Sequence, residues 1–223
     1  MRDWPESSPL PAPPGPGAGG ADPEATGAVM SAGERSGPRG GGAERVRLVR
    51  LDRVTPEADL LRLAVLRHRL PPGQRGHVLL PVTTLPAADA DPARTPFAVV
   101  GPGAVADAAG ARAACAGFGV LDRAVHARDL VPDPARAVLL RAFYVTTAWQ
   151  NRGVGRSVCS PPLLDRLAAQ VAPRAVELVL CVDEANHAAA RVYARAGFVF
   201  TGRRFVDAAG APQLVMVRPV QRY

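Results

Sequence analysis

The sequence contains no lysine, so all 27 of its basic side chains are arginine. That absence excludes a P-loop, whose lysine followed by Ser or Thr reaches the terminal phosphates of a nucleotide. Aromatic residues make up only 5% of the 223 positions, too few for the stacking platforms that hold single-stranded nucleic acid. The net charge of +7 would by itself suggest a nucleic acid partner. The arginines, however, are scattered mostly singly among Asp and Glu with no long basic run, and nucleic acid is not expected to bind. Cysteine is also scarce. Cys115, Cys159 and Cys181 are odd in number, far apart and without paired metal-ligand spacing, so they read as small buried hydrophobes of a reducing compartment. His68, His77, His126 and His187 form no pair at metal-ligand spacing, and no metal site is expected. There is no Gly-x-Ser-x-Gly elbow to suggest a hydrolase. No segment approaches the ~20 consecutive apolar residues of a membrane span. The N-terminus, with Asp3, Trp4 and five prolines by position 14, lacks the basic start and apolar run of a signal peptide. A cytoplasmic protein with no membrane partner is expected.

What the chain does contain is 48% hydrophobic residues, enough for one well-buried domain. Residues 1–43 are Pro, Gly, Ala and Ser with few aliphatic side chains, and cannot bury enough surface to offset their ordering entropy. They are expected to form a disordered tail before a domain over residues 44–223. In that domain "ERVRLVRL" alternates like a half-buried strand, and Thr55-Pro56-Glu57 has the cap, first-turn proline and acid of a helix start. Leu60, Leu63, Ala64 and Leu70 follow at helical spacing, and Pro71-Pro72-Gly73 stops the pattern. A short helix is expected near Leu85–Asp89. Residues 96–101, 116–125 and 137–145 read as three strands, the first two separated by a Gly/Ala-rich connection. A helical segment from Val154 towards Val171, a strand over 176–182, a helix from Asn186 to Ala196 ended by Gly197, and a closing hairpin across Asp207–Gly210 complete the order.

The segment from Val145 to Arg156, "VTTAWQNRGVGR", raises the question of function. It joins a buried strand to a helix through Gly153 and Gly155, with Arg152 and Arg156 alongside. Glycines there let a backbone approach a ligand, and a helix that starts there aims free N–H groups at it, which suggests an anion site. A tight strand-to-helix turn would explain the glycines equally well. A dinucleotide fingerprint is excluded, because Val158 stands where a third glycine is needed. What remains, Gln150 to Gly155, is Gln-x-x-Gly-x-Gly. It resembles the pyrophosphate loop of the GNAT superfamily of N-acetyltransferases. A second stretch, "CVDEANHAAARVYARAGF" from Cys181 to Phe198, is similar to that family's later signature of strand, Asn, short helix, Tyr and Gly-Phe. Asn186 and Tyr193 lie about two helical turns apart, on one face, with small Ala189 and Ala190 between them. Without the resemblance they read as a helix cap and a core aromatic.

The resemblance implies an α/β fold: a mixed, mostly antiparallel sheet flanked by helices, whose splayed central strands form an acetyl-CoA cleft. It implies direct transfer of an acetyl group from acetyl-CoA to a primary amine, without metal. Gln150, Asn151, Arg152, Gly153, Val154, Gly155 and Arg156 would hold the pyrophosphate. Backbone at Phe143 to Val145 would face the thioester, Asn186 and Ala189 the cofactor arm, and Tyr193 would act as general acid. The stretch of Gln74, His77-Val78, Thr84-Leu85 and the proline-led strand at Pro96 is similar to bacterial polyamine and diamine acetyltransferases, which implies a small amine substrate. The resemblance also allows a homodimer. Asp183 and Glu184 read either as acceptor-facing bases or as solvated turn carboxylates, and Arg141 as an orienting group, since guanidinium does not deprotonate. Ser160-Pro161-Pro162 departs from the family pattern, because prolines there must kink or restart the helix near Leu163. With no obvious base, this leaves a non-catalytic acetyl-CoA-binding or partner-binding module as the rival reading.

Overall fold

A computed structural model describes residues 46–124, 130–206 and 210–223. The expected tail, His126 and positions 207–209 of the hairpin connection lie outside the described residues. After β1 (Arg47–Arg50), helix α1 (Pro56–Leu66) begins where its cap predicts: Thr55 Oγ1 accepts from the Ala58 N–H at 3.1 Å. Of the residues expected to face inward, Ala64 and Leu70 are buried and Leu60 is half-buried against the core, and only Leu63 turns out. Ala58, Leu61, Ala64 and Val65 are buried and Leu63 is 54% exposed, because the small residues of α1 meet those of α4 (Ala108–Ala114) in one apolar layer. That fourth helix replaces the expected Gly/Ala-rich connection, and Asp107 Oδ1 caps it by accepting from the Gly110 N–H at 2.7 Å. Pro72, read as a stop, proves to be a start as well. Pro72 opens α2 (Pro72–Arg75) and Pro81 opens α3 (Pro81–Asp89), which includes the short helix expected at its C-terminal end.

Strands β2 (Arg94–Val100), β3 (Cys115–Asp122), β4 (Ala137–Val145), β5 (Glu177–Asp183), β6 (Val199–Val206) and β7 (Pro212–Pro219) join β1 in a seven-stranded sheet of order β1-β2-β3-β4-β5-β7-β6. Only the β4–β5 pair is parallel, so the sheet is mixed and mostly antiparallel, as expected. On one face Phe97, Val99, Val138, Leu140, Leu178 and Leu180 pack against α5 (Val154–Cys159) and α6 (Leu163–Val171), with half-buried residues of α7 (His187–Arg195). On the other, Ala98, Val100, Phe118 and Val120 pack against α1, α3 and α4. Among the described residues no helix is long and apolar enough to cross a membrane.

The prolines divide one helix into two, as their chemistry requires: α5 ends at Cys159 and α6 restarts at Leu163. In a continuous helix the Cys159 carbonyl would accept from the N–H four residues on. Here Arg218 of β7 supplies the donor, its Nε lying 3.1 Å from that oxygen. The same guanidinium holds both oxygens of Asp165 on α6, at 2.8 and 2.6 Å, and lies 5.2 Å from the centre of the Phe198 ring. Asp165 also accepts from the Gln221 N–H at 2.7 Å. Arg218 and Asp165 are 3% and 0% exposed. Removing one partner strands a buried charge, so Asp165→Ala is expected to lose about 3–5 kcal/mol of unfolding free energy, measured by urea titration.

Candidate active site

The two parallel strands part company half-way. β4 and β5 pair from Ala137 with Glu177 to Leu140 with Leu180, and no further, although β4 runs on to Val145 and β5 to Asp183. The departure coincides with a bulge in β4. Phe118 faces Tyr144 but Val120 faces Arg141, so two steps on β3 answer three on β4. Ala142 takes up the extra residue with φ 51°, a region that few residues with a side chain adopt. One additional residue reverses the alternation. Val138 and Leu140 face α5 and α6 before the bulge; after it Phe143 and Val145 do, while Ala142 and Tyr144 turn to the α1 side. From Arg141 onward, the edge of β4 facing β5 has no strand partner among the described residues. Arg141 is itself anchored, its Nη1 donating to the buried Asp122 at 2.9 Å.

The glycine segment folds directly beyond this edge. Gln150 Nε2 donates to the Val145 carbonyl at 3.0 Å and fixes the turn, so this side chain is a brace for the loop. Asn151 (φ 61°) and Gly153 (φ 77°) are left-handed, and Gly153 opens α5 without offering a side-chain cap. The Ser157 N–H bonds to the Gly153 carbonyl at 2.9 Å, so the N–H groups of Val154, Gly155 and Arg156 precede the intrahelical ladder. Val154's side chain is buried in the core, which leaves its backbone alone for a ligand. The Arg152 guanidinium lies 5.3 Å from the centre of the Trp149 ring, and Arg156 is exposed. A Cβ at Gly155 would lie 3.4 Å from Val192 Cγ1 and 3.8 Å from Val145 Cγ2, ordinary contacts. The fold therefore accommodates a side chain at Gly155, and it would fill the crevice between the end of β4 and α7.

On α7, Asn186 is the helix cap. Its Oδ1 accepts from the Ala189 N–H at 3.1 Å, which leaves the amide NH2 free to donate. Ala189, Ala190 and Tyr193 are half-buried against the same core layer as Val145 and Val154. The Tyr193 ring meets Phe198 edge-to-face at 6.0 Å. Burial, with a smaller contribution from the neighbouring Cys159, raises the Tyr193 phenol above its ordinary pKa. It keeps its proton more firmly than a free phenol would, and is a hydrogen-bond donor throughout the neutral range.

Two further constellations join residues that are far apart in sequence. His77 Nδ1 sits 2.9 Å from Asp183 Oδ2, while Asp183 Oδ1 accepts from the Ala185 N–H at 2.8 Å. The Ala185 N–H, and then His77, hold the Asp183 carboxyl below its usual range, which makes it a weak base. Glu184 is engaged by Arg204 at 3.1 Å. His68 Nδ1 lies 2.8 Å from the Tyr144 hydroxyl, and burial lowers His68 to about 4. The cysteines carry no disulfide, and burial pushes Cys115 and Cys159 up to about 12 and Cys181 to about 11, so none is a thiolate nucleophile near neutrality.

A sheet opened between two parallel strands, with an uncapped helix start at the opening, defines the class of fold. Residues 78–198, more than half of the chain, match the Acetyltransferase (GNAT) family, and the chain belongs to that family. Solved structures share the fold. Aminoglycoside acetyltransferase AAC(6')-Ib in complex with coenzyme A and kanamycin is 19% identical with a TM-score of 0.54, covering 78% of this chain and 95% of that one. The GNAT domain of S. lividans PAT is 20% identical with a TM-score of 0.52, covering 81% and 93%. No curated protein matches the sequence.

The two glycines should behave oppositely in thermal or urea unfolding. Gly153→Ala forces a side chain into a left-handed position and is expected to destabilise by about 1–2 kcal/mol. Gly155→Ala, in a helical position with room for its methyl group, is expected to hold or raise stability by up to ~1 kcal/mol. Stability should also fall as pH drops from the free-imidazole range, ~6.5, towards 4, because the unfolded chain takes up a proton that folded His68 refuses. His68→Gln is expected to flatten that part of the profile.

Proposed function

We propose that the protein is an acetyl-CoA-dependent N-acetyltransferase that passes the acetyl group directly to a primary amine of a small, polyamine-like molecule. The observation that carries the reading is the uncapped start of α5 at the opening between β4 and β5, where an otherwise tolerated side chain at Gly155 would obstruct a ligand. The residues fit such a ligand. The N–H groups of Val154, Gly155 and Arg156, with Arg152 and Arg156, bind the pyrophosphate, and the positive helix end favours its charge. Asn151 and Gly153 supply the left-handed turns that aim those groups, and Gln150 braces them against Val145. Asn186 donates its free amide to the pantetheine arm, which Ala189 leaves room to pass. When bound, acetyl-CoA supplies a thioester carbon open to attack. The unpartnered edge of β4 from Phe143 to Val145 orients that group and offers backbone N–H to charge developing on its oxygen. Tyr193, a neutral phenol, would donate a hydrogen bond to the departing sulfur; because burial raises its pKa, the proton it passes to the thiolate would have to be replaced by the one released from the amine nitrogen as the amide forms.

A small amine acceptor is supported by the neighbour solved with coenzyme A and kanamycin. The rival reading, a non-catalytic module, drew on Pro161 and Pro162. These prolines fall after α5, and Arg218 satisfies the carbonyl exposed by the break, so the first turn of α5 is spared. Acetyl-CoA at about a hundred times its Kd is expected to stabilise the protein by ~2.7 kcal/mol, roughly 5 to 10 °C in Tm, with a matching calorimetric Kd. Gly155→Ala should abolish that shift while remaining folded. Tyr193→Phe should retain the Kd and lose about a hundredfold or more in kcat for an amine from a primary-amine panel. A wild-type protein with neither Tm shift nor binding heat would overturn the reading.

A further inference from the structure

The proposed chemistry needs a group to remove a proton from the acceptor, because an aliphatic ammonium has a pKa near that of lysine, ~10.4. Neither carboxylate at the end of β5 is suited to that role, since Asp183 is held low and Glu184 is occupied by Arg204. The structure places an imidazole beside them. His77 follows α2 and is 106 positions from Asp183 in sequence, yet its Nδ1 is 2.9 Å from Asp183 Oδ2. The contact spans the opening between the strands. Asp183 lies three residues beyond the last β4–β5 pair, on the separated end of β5. Val78, next to His77, packs instead with Leu70, Leu85 and Tyr144 in the layer that belongs to β2–β4.

An anionic carboxylate facing Nδ1 fixes the tautomer: Nδ1 carries hydrogen towards Asp183, and the Nε2 lone pair is left to accept. Nε2 has no protein partner among the described residues, and the His77 side chain is one-quarter exposed. Asp183 is the charged group facing the ring from β5. Arg75 on its own turn is directed away, with its Nε on the Leu70 carbonyl at 2.7 Å. The same turn holds a second sign of a cationic ligand. The His77 N–H bonds to the Gln74 carbonyl at 3.0 Å, and Gln74 Oε1 is buried without a hydrogen-bond partner among the described residues. A buried amide oxygen without a donor is costly, and an ammonium group is the donor it lacks.

We infer that Gln74, His77 and Asp183 form the acceptor subsite, in which His77 Nε2 is the general base for the amine. The inference rests on the acetyltransfer proposed above. In the step, an N–H bond of the substrate ammonium breaks and an Nε2–H bond forms. The electron pair stays on the amine nitrogen as the nucleophile, and the imidazolium later releases its proton to water. Gln74 Oε1 holds the ammonium, and Asp183 is a positioning residue for the ring.

The test uses the full chain, acetyl-CoA and whichever of a panel of primary amines, including 1,4-diaminobutane and kanamycin, the wild type acetylates fastest. His77→Gln is expected to keep the acetyl-CoA Kd and Tm shift, and to lose about a hundredfold or more in kcat/KM at neutral pH. It should also lose the acid limb of the wild-type pH profile and regain rate when free imidazole is added. Asp183→Asn should lower kcat with little change in acceptor KM, and Gln74→Met should raise acceptor KM with little change in kcat. A His77→Gln enzyme with the wild-type rate and acid limb would overturn the inference while leaving the acetyltransferase reading intact. So would a loss of rate that follows a lowered Tm and that imidazole does not restore. A wild type that acetylates no amine in the panel would remove the acetyltransferase reading and this inference together.

Discussion

Everything near the cleft depends on one guanidinium. Arg218 reaches from β7 to Asp165 on α6 with two nitrogens and to the Cys159 carbonyl, the last of α5, with a third. A buried ion pair of this kind adds little net stability over well-packed apolar residues, since desolvation offsets most of the Coulombic gain. Its importance lies in completeness. The proline break removes the helical donor from the Cys159 carbonyl, and an unpaired buried carbonyl would pull α5 out of place or admit water. Satisfied by Arg218, α5 can end after six residues and still present its first turn against the end of β4.

The same junction sets the environment of Tyr193. Cys159, whose carbonyl Arg218 holds, is the neighbour that adds to the burial already raising the Tyr193 phenol. Phe198, the ring under the Arg218 guanidinium, is also the ring against which Tyr193 packs. The position of the phenol is thus linked to the ion pair through Phe198. On the other side of the cleft the bulge at Ala142 has a comparable effect. It turns Phe143 and Val145 towards α5 and α7, and it frees the β4 edge by bending the strand away from β5.

What the sequence revealed were features whose cause is local. The Thr55 and Asn186 caps, the restart at Leu163 and the Asn186–Tyr193 face all follow from residues within two turns of each other. Sequence and structure differ where a choice between equal local patterns is made by tertiary contact. The spacing of α1 places Leu63 inward as readily as Leu61 and Val65, and only packing of alanines against α4 leaves Leu63 outside. Pro72 and Pro81 satisfy the rules for ending one helix and for starting another. The bulge was invisible because "AVLLRAFYV" carries apolar residues at both parities, so a reversal of phase at Ala142 leaves no trace in the pattern. The pairs His77–Asp183 and Arg218–Asp165 join residues 106 and 53 positions apart, and no local rule links them.

The missing lysine, which at first serves only to exclude a nucleotide motif, bears on how the fold holds together. A lysine at 218 would bring a single nitrogen, three donors around one point and a strongly hydrated charge. It could meet a carboxylate oxygen or the Cys159 carbonyl, but it could not span both oxygens of Asp165 and a carbonyl on the preceding helix at once. The planar guanidinium does so with donors fixed in one plane, and its weaker hydration lowers the penalty of a site that is nearly closed to water. The proline break between α5 and α6 is therefore tolerable in this chain because of which cation stands on β7. The glycine segment before α5 inherits its position from that choice.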